Sequence, residues 1–155
     1  MDLDDLIARE SVRDLVARYN AYGDSGRFEA LAELFADDAV MEIVQLNGTV
    51  VRHEGREDIG HIFQRVSDRV GGRDTEGPSY IRHFTATHQI DLVDADHATG
   101  RLYFVVYMPH GLDHWGRYVD DYARVEDRWV FAHRKVYVEG RTADSWFVPA
   151  PAAPA

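Results

Sequence analysis

Tyr80-Ile81-Arg82-His83-Phe84-Thr85-Ala86-Thr87 opens the stretch that decides the fold. From residue 79 onward apolar side chains recur at every second position, the spacing of strands with one buried face. A second such run ends in Phe104-Val105-Val106-Tyr107-Met108-Pro109-His110. The pattern predicts four strands, over 79–93, 99–110, 115–126 and 128–140. Asp94-Ala95-Asp96 and Glu126-Asp127 provide short turns, so the strands read as an antiparallel meander.

Upstream the period changes to that of helices. Leu3, Leu6, Ile7, Val12, Leu15, Val16 and Tyr19 recur at three- and four-residue steps over 2–22, and Gly23 reads as the stop. A shorter helix is expected over 26–36, with Phe28, Leu31, Leu34 and Phe35 on one stripe. After a turn at Asp37-Asp38, a strand over 39–46 and its return over 49–53 flank Asn47-Gly48, a hairpin signal. A third helix, 55–70, would bury Ile59, Ile62, Phe63 and Val66. The loop 71–78 is rich in charge and turn residues and reads as a mobile flap. Residues 142–155 end in Pro149-Ala150-Pro151-Ala152-Ala153-Pro154-Ala155, which has no core-forming pattern and reads as a frayed tail. Helices followed by an antiparallel meander make an α+β domain over 1–141, with the helices on one face of the sheet.

Composition narrows the function classes. A chain of 155 residues, 45% hydrophobic, is long enough for one domain with a sizeable core. A formal net charge of -10 argues against nucleic acid as a partner, because phosphate contacts need a basic face. The absence of cysteine removes disulfides, thiol nucleophiles and zinc–thiolate sites. An acidic N-terminus without a signal-peptide pattern, and no apolar run of membrane length, predict a cytoplasmic protein without a membrane partner. Lys135 is the single lysine, so nearly all positive charge is arginine.

Three residues carry the chemistry. Asp24 lies in Tyr22-Gly23-Asp24-Ser25-Gly26-Arg27-Phe28, His83 in the first long strand, and His110 at the end of the second. A carboxylate that holds an imidazole by its Nδ1–H leaves Nε2 free as a base and raises the ring's basicity. Alternation places His83 with Ile81, Thr85 and Thr87, and His110 with Val106 and Met108. It places Tyr118 with Gly116 and Asp120, and Arg134 with Ala132, Val136 and Val138. An arginine on so apolar a face needs a partner, and Glu42 or Asp120 could supply one. Against a functional reading, an aspartate after a helix commonly forms a turn, and a strand histidine commonly sits satisfied in a core or rim. Metal chemistry finds little support. His83 and His88, five apart, should face opposite ways, and His110, Asp113 and His114 lack converging third and fourth ligands. His53, His61, His97 and His133 read as surface or rim residues. Trp115, Trp129 and Trp146 read as core or interface anchors.

In element order and spacing, over roughly 3–140, the chain resembles a SnoaL-like member of the nuclear transport factor 2-like superfamily. It is most similar to the scytalone dehydratase type. Asp24-Ser25-Gly26-Arg27-Phe28, His83-Phe84 and Met108-Pro109-His110 resemble that type's Asp-Ser, His-Phe and Val-Pro-His steps. Asp24 and His83 also fit the Asp–His pairs of the hexachlorocyclohexane dehydrochlorinase and bile-acid dehydratase types. Arg134 fits an arginine of the dehydrochlorinase type that faces the pocket. The resemblance implies a cone-shaped α+β barrel, in which three N-terminal helices pack on a curved, mostly antiparallel sheet around a pocket. It implies no cofactor or metal, and a homo-oligomer, dimer or trimer, formed through the open sheet face. The chain departs from the dehydratase pattern at Gly23 and Ile43, where pocket tyrosines are expected. Tyr118 and Gly116 fall where that type has an asparagine and a serine. These departures argue against scytalone itself as the substrate.

The expectation is therefore a cofactor-independent acid–base lyase, foremost a dehydratase of a small cyclic or polycyclic hydroxylated molecule. Asp24, His83, His110 and Arg134 are its candidate catalytic residues. Tyr19, Tyr118, Met108, Phe104 and Val136 are its candidate substrate contacts. An isomerase, dehydrohalogenase or polyketide cyclase could use the same base. A non-catalytic binding module or accessory subunit could use the same fold without it.

Overall fold

The computed structural model describes residues 2–71 and 80–147, with side chains omitted over 66–71. The expected flap at 71–78 therefore falls almost wholly outside the described residues, as do the end of the tail and the Val66 side chain.

The chain order is α1 Leu3–Asp24, α2 Phe28–Ala32, β1 Phe35–Val44, β2 Val50–Glu54, α3 Arg56–Gly71, β3 Arg82–Leu92, β4 His97–Met108, β5 Gly111–Val125 and β6 Arg128–Arg141. One six-stranded sheet has the order β2-β1-β6-β5-β4-β3. Strands β3 to β6 form the predicted meander, while β1 lies parallel to β6 and makes the sheet mixed. The sheet is open. Its edges β2 and β3 do not pair, so the closed barrel expected from the resemblance gives way to an open α+β sheet covered by helices. Helix α2 is shortened to five residues, because the chain enters β1 at Phe35 rather than after the Asp37-Asp38 turn.

Helix α1 begins with a reciprocal capping box between Asp2 and Asp5. Its apolar stripe buries Val12, Leu15, Val16 and Tyr19, whereas Leu3, Leu6 and Ile7 stay exposed. The helix does not stop at Gly23. It runs on to Asp24 and closes in a Schellman motif: Arg27 N–H donates to the Tyr22 carbonyl at 2.9 Å and Gly26 N–H to that of Gly23 at 3.3 Å. The left-handed residue this motif requires is Gly26, at φ 72°.

The inner face of the sheet carries the core. Leu102, Phe104, Val106 and Met108 of β4 alternate inward, beside Tyr118 and Tyr122 of β5 and Val136 and Val138 of β6. Register shifts break the simple alternation in the β1–β6, β3–β4, β4–β5 and β5–β6 pairings, among them one in β3 and one in β6. In β3, two residues oppose one between Ala86 and Gln89, with Thr87 at φ 56°. In β6, Ala132 is inserted where Asp121–His133 is followed by Tyr122–Phe131. Each insertion changes the parity of everything beyond it. As a result His88 faces inward like His83, contrary to expectation, with Nε2 3.2 Å from the Tyr122 hydroxyl. His53, expected at the surface, is buried on β2 opposite Met41, with its Nδ1 2.8 Å from Asp58 Oδ2.

Candidate active site

Asp24 ends up at the last turn of α1, where a carboxylate meets the negative end of the helix dipole and is unfavourable by itself. It is compensated by two donors from one residue. His83 Nδ1 lies 2.6 Å from Asp24 Oδ1, and the His83 backbone N–H donates to Oδ2 at 3.0 Å. The carboxylate thus fixes both the strand and the ring. The two side chains are 13% and 20% exposed, so the pair is sheltered without being sealed. Among the described residues Nε2 of His83 has no hydrogen-bond partner.

One turn earlier on the same helix face, Asn20 is buried and its amide lies 3.4 Å from Thr85 Oγ1, next to His83 on the inner face. Its Oδ1 is without a partner among the described residues. Sequence reasoning missed Asn20, although its four-residue spacing from Asp24 places it on the same face.

Arg134 is fully buried and engages Asp120 in two hydrogen bonds, Nε to Oδ1 at 2.9 Å and Nη2 to Oδ2 at 2.8 Å. Of the two partners considered, Asp120 is therefore the one used. Glu42 lies on the outer face with His133, Lys135 and Arg52. The Arg134 guanidinium carbon is 4.1 Å from the ring centres of Tyr19, Tyr118 and Phe131. Burial opposes its charge, but Asp120 outweighs burial and keeps the guanidinium protonated. Burial raises Tyr118 well above the ordinary phenol value and raises Tyr19 as well, so both hydroxyls are neutral donors. All five expected contact residues, Tyr19, Tyr118, Met108, Phe104 and Val136, are buried. Phe104 stacks on Tyr118 with centroids 4.5 Å apart. Gly116 is required beneath this ring, since an added Cβ would collide with the Tyr137 carbonyl oxygen and meet Phe104 at 3.0 Å.

His110 does not share the inward face of Val106 and Met108. The strand ends at Met108, and His110 sits exposed in the turn, with Nε2 3.1 Å from Asp113 Oδ2. The histidine that does face inward here is His114, whose Nδ1 is 2.6 Å from Asp113 Oδ1. Cross-strand register places His83, Val106 and His114 in one row of the inner face. Its spacing from Gly116, Tyr118 and Asp120 was the signal available in the sequence. Asp113 is fully buried and also accepts from Ser145 Oγ and the Trp146 N–H, each at 2.7 Å. Burial pushes the Asp113 carboxyl up, but the donors from Trp146, Ser145 and His114 outweigh it and hold it below the usual carboxylate range. The segment 142–147, expected to fray, is docked here. Among the described residues no group of three or more histidine, cysteine or acidic side chains could hold a metal ion, and no helix is long and apolar enough to cross a membrane.

A family model described as SnoaL-like domain matches residues 4–135. No curated protein matches the chain. Among solved structures, a candidate scytalone dehydratase from Novosphingobium aromaticivorans DSM 12444 has a TM-score of 0.75 at 19% identity, covering 100% of this chain and 99% of its own. Hexachlorocyclohexane dehydrochlorinase LinA-type3 from Novosphingobium barchaimii LL02 has a TM-score of 0.73 at 22% identity, covering 97% and 100%. The beta subunit of a candidate aromatic-ring-hydroxylating dioxygenase from N. aromaticivorans DSM 12444 has a TM-score of 0.71 at 18% identity, covering 92% and 95%. At these identities the likeness is one of fold. The family match spans most of the chain, and with the open helix-covered sheet it establishes that the chain belongs to the SnoaL-like family.

Proposed function

We propose that the protein is a cofactor-independent lyase that removes water from a small cyclic or polycyclic hydroxylated substrate. The observation that carries this reading is the double engagement of His83 by Asp24, at 2.6 Å and 3.0 Å. A ring that donates Nδ1–H to a carboxylate presents the Nε2 lone pair as a base. His83 Nε2 would take a proton from carbon next to a carbonyl. The released electron pair forms the double bond, the hydroxyl departs, and the imidazolium returns its proton to make water. Asp24 stabilises that imidazolium. The neutral Tyr118 hydroxyl is suited to donating to an enolate-like oxygen. Arg134, committed to Asp120 and enclosed by three rings, would act by holding Tyr19 and Tyr118 rather than by giving up a proton.

Loss of halide, double-bond isomerisation and polyketide cyclisation are chemical neighbours that need the same base. The likeness to a dehydrochlorinase keeps the first of these closest. The likeness to a dioxygenase beta subunit supports a second reading, that of an accessory subunit. An oriented base is of no use to such a subunit, so the dyad favours the enzyme. Exposed Phe84, Tyr103 and Tyr107 on the outer sheet face support self-association through that face. The test is a screen of hydroxylated cyclic ketones for water loss, with wild type beside His83→Ala. Dehydration by wild type alone supports the lyase; equal slow rates support the accessory reading.

A further inference from the structure

The molecule contains a second aspartate–histidine pair that the proposed reaction does not use. His114 lies on the inner face, across Val106 from His83. Two interstrand spacings separate the two histidine backbones, roughly 9–10 Å. Asp113 takes the Nδ1–H of His114 and turns Nε2 away from itself, and among the described residues that Nε2 has no hydrogen-bond partner. The ring meets Phe104 edge-on at 6.0 Å and Phe147 at 5.3 Å, so its surroundings are aromatic. Burial pushes His114 below the ordinary histidine value, against the pull of Asp113. A neutral ring with its proton on Nδ1 is an acceptor at Nε2.

Asp113 is held from several sides. His114, Ser145, the Trp146 N–H and His110 all contact its carboxylate. Its carbonyl accepts from the Thr142 N–H at 2.9 Å. A surface imidazole would not need a buried, fully engaged carboxylate behind it. The segment that follows β6 therefore does more than cover the sheet: it locks the residue that sets the His114 tautomer.

We infer that His114 is a second substrate-contacting imidazole, whose Nε2 accepts a hydrogen bond from a hydroxyl group on a planar, aromatic-type ring, with Asp113 as its positioning residue. This rests on the inner face being a substrate site, and it assigns that site a substrate class. The substrate carries a hydroxyl donor at the end remote from the carbon that His83 would deprotonate. His83 acts on one end of the molecule and His114 holds the other.

The test uses 2-naphthol and its methyl ether as probes of the full chain, read by long-range ¹⁵N–¹H spectra of the imidazoles. The phenol should shift His114 Nε2 and bind about three- to tenfold tighter than the ether, the worth of one hydrogen bond. The preference should vanish in His114→Phe and persist in His83→Gln. Asp113→Asn should alter the His114 tautomer signature and reduce the preference, which a purely structural aspartate would not do. Failure of 2-naphthol to bind, an unmoved His114 signal, or a preference that survives His114→Phe overturns the inference. The wild-type shift needs no variant, so a poorly folding mutant does not block the test. If His83→Ala leaves water loss unchanged while the phenol preference stands, the reaction is wrong and the His114 contact is right.

Discussion

The two aspartate–histidine pairs share one bond and little else. In each, Nδ1 lies 2.6 Å from a carboxylate oxygen. Asp24 stands at a helix end, partly open, and among the described residues its donors come from His83. Asp113 is sealed and gathers donors from a turn, a strand and the segment after β6. The first carboxylate serves one ring; the second also ties the C-terminal segment to the sheet. Identical local geometry therefore leads to different consequences, and burial with partner count decides which.

The largest expected effect separates rate from stability. His83→Ala should lower any dehydration rate by about 10²–10⁴-fold, the usual worth of a positioned acid–base group, with little change in Tm. A comparable loss of stability would place the pair with Asp113 instead. Asp113→Ala should do the opposite. It strips the acceptor from several sheltered donors and should cost about 3–5 kcal/mol in urea denaturation. A cost under about 1 kcal/mol would remove the distinction between the pairs.

The smallest effect is gradual. Burial lowers both His88 and His114 below the ordinary value of 6.5, because it disfavours their charged forms. Below that value the unfolded chain binds protons that the native state refuses. Stability present above 6.5 is then lost progressively as the pH falls toward the folded-state values. Unfolding measured at about pH 8 and about pH 5.5 should show this loss, reduced in His88→Gln. Stability that is flat across the interval would mean that these rings are not excluded from protonation.

Much of this arrangement was legible in the sequence, for identifiable reasons. The period of two after residue 79 gave the meander, and the Asn47-Gly48 signal gave the β1–β2 hairpin, where Gly48 takes φ 80°. Asp24 and His83 were legible as a carboxylate and an imidazole in the Asp24-Ser25 and His83-Phe84 steps that carry the family resemblance. The bulges were not legible. An inserted residue at Thr87 or Ala132 changes facing without changing composition, and so His88 was placed on the wrong side. The end of α1 was misjudged because two glycines compete there, and only the hydrogen bonds show that Gly26 is the cap. His110 follows a Met108-Pro109 step that resembles the family's, whereas His114 carries no such motif. Counting by twos from Tyr118 reaches His114 instead. The parallel β1–β6 pairing joins strands far apart in the chain, which no local pattern reports.

The central claim, that Asp24 dictates which nitrogen of His83 is free, is tested most directly in Asp24→Asn. The carboxylate has two acceptor oxygens for two donors, the backbone N–H and Nδ1–H. An amide has one oxygen, and the backbone donor cannot change. The amide oxygen should therefore stay on the His83 N–H and turn its NH₂ toward Nδ1, which can accept only by moving its proton to Nε2. Long-range ¹⁵N–¹H spectra of the neutral ring should show the Nδ1–H tautomer in wild type and the Nε2–H tautomer in Asp24→Asn. The same tautomer in both proteins would contradict the account.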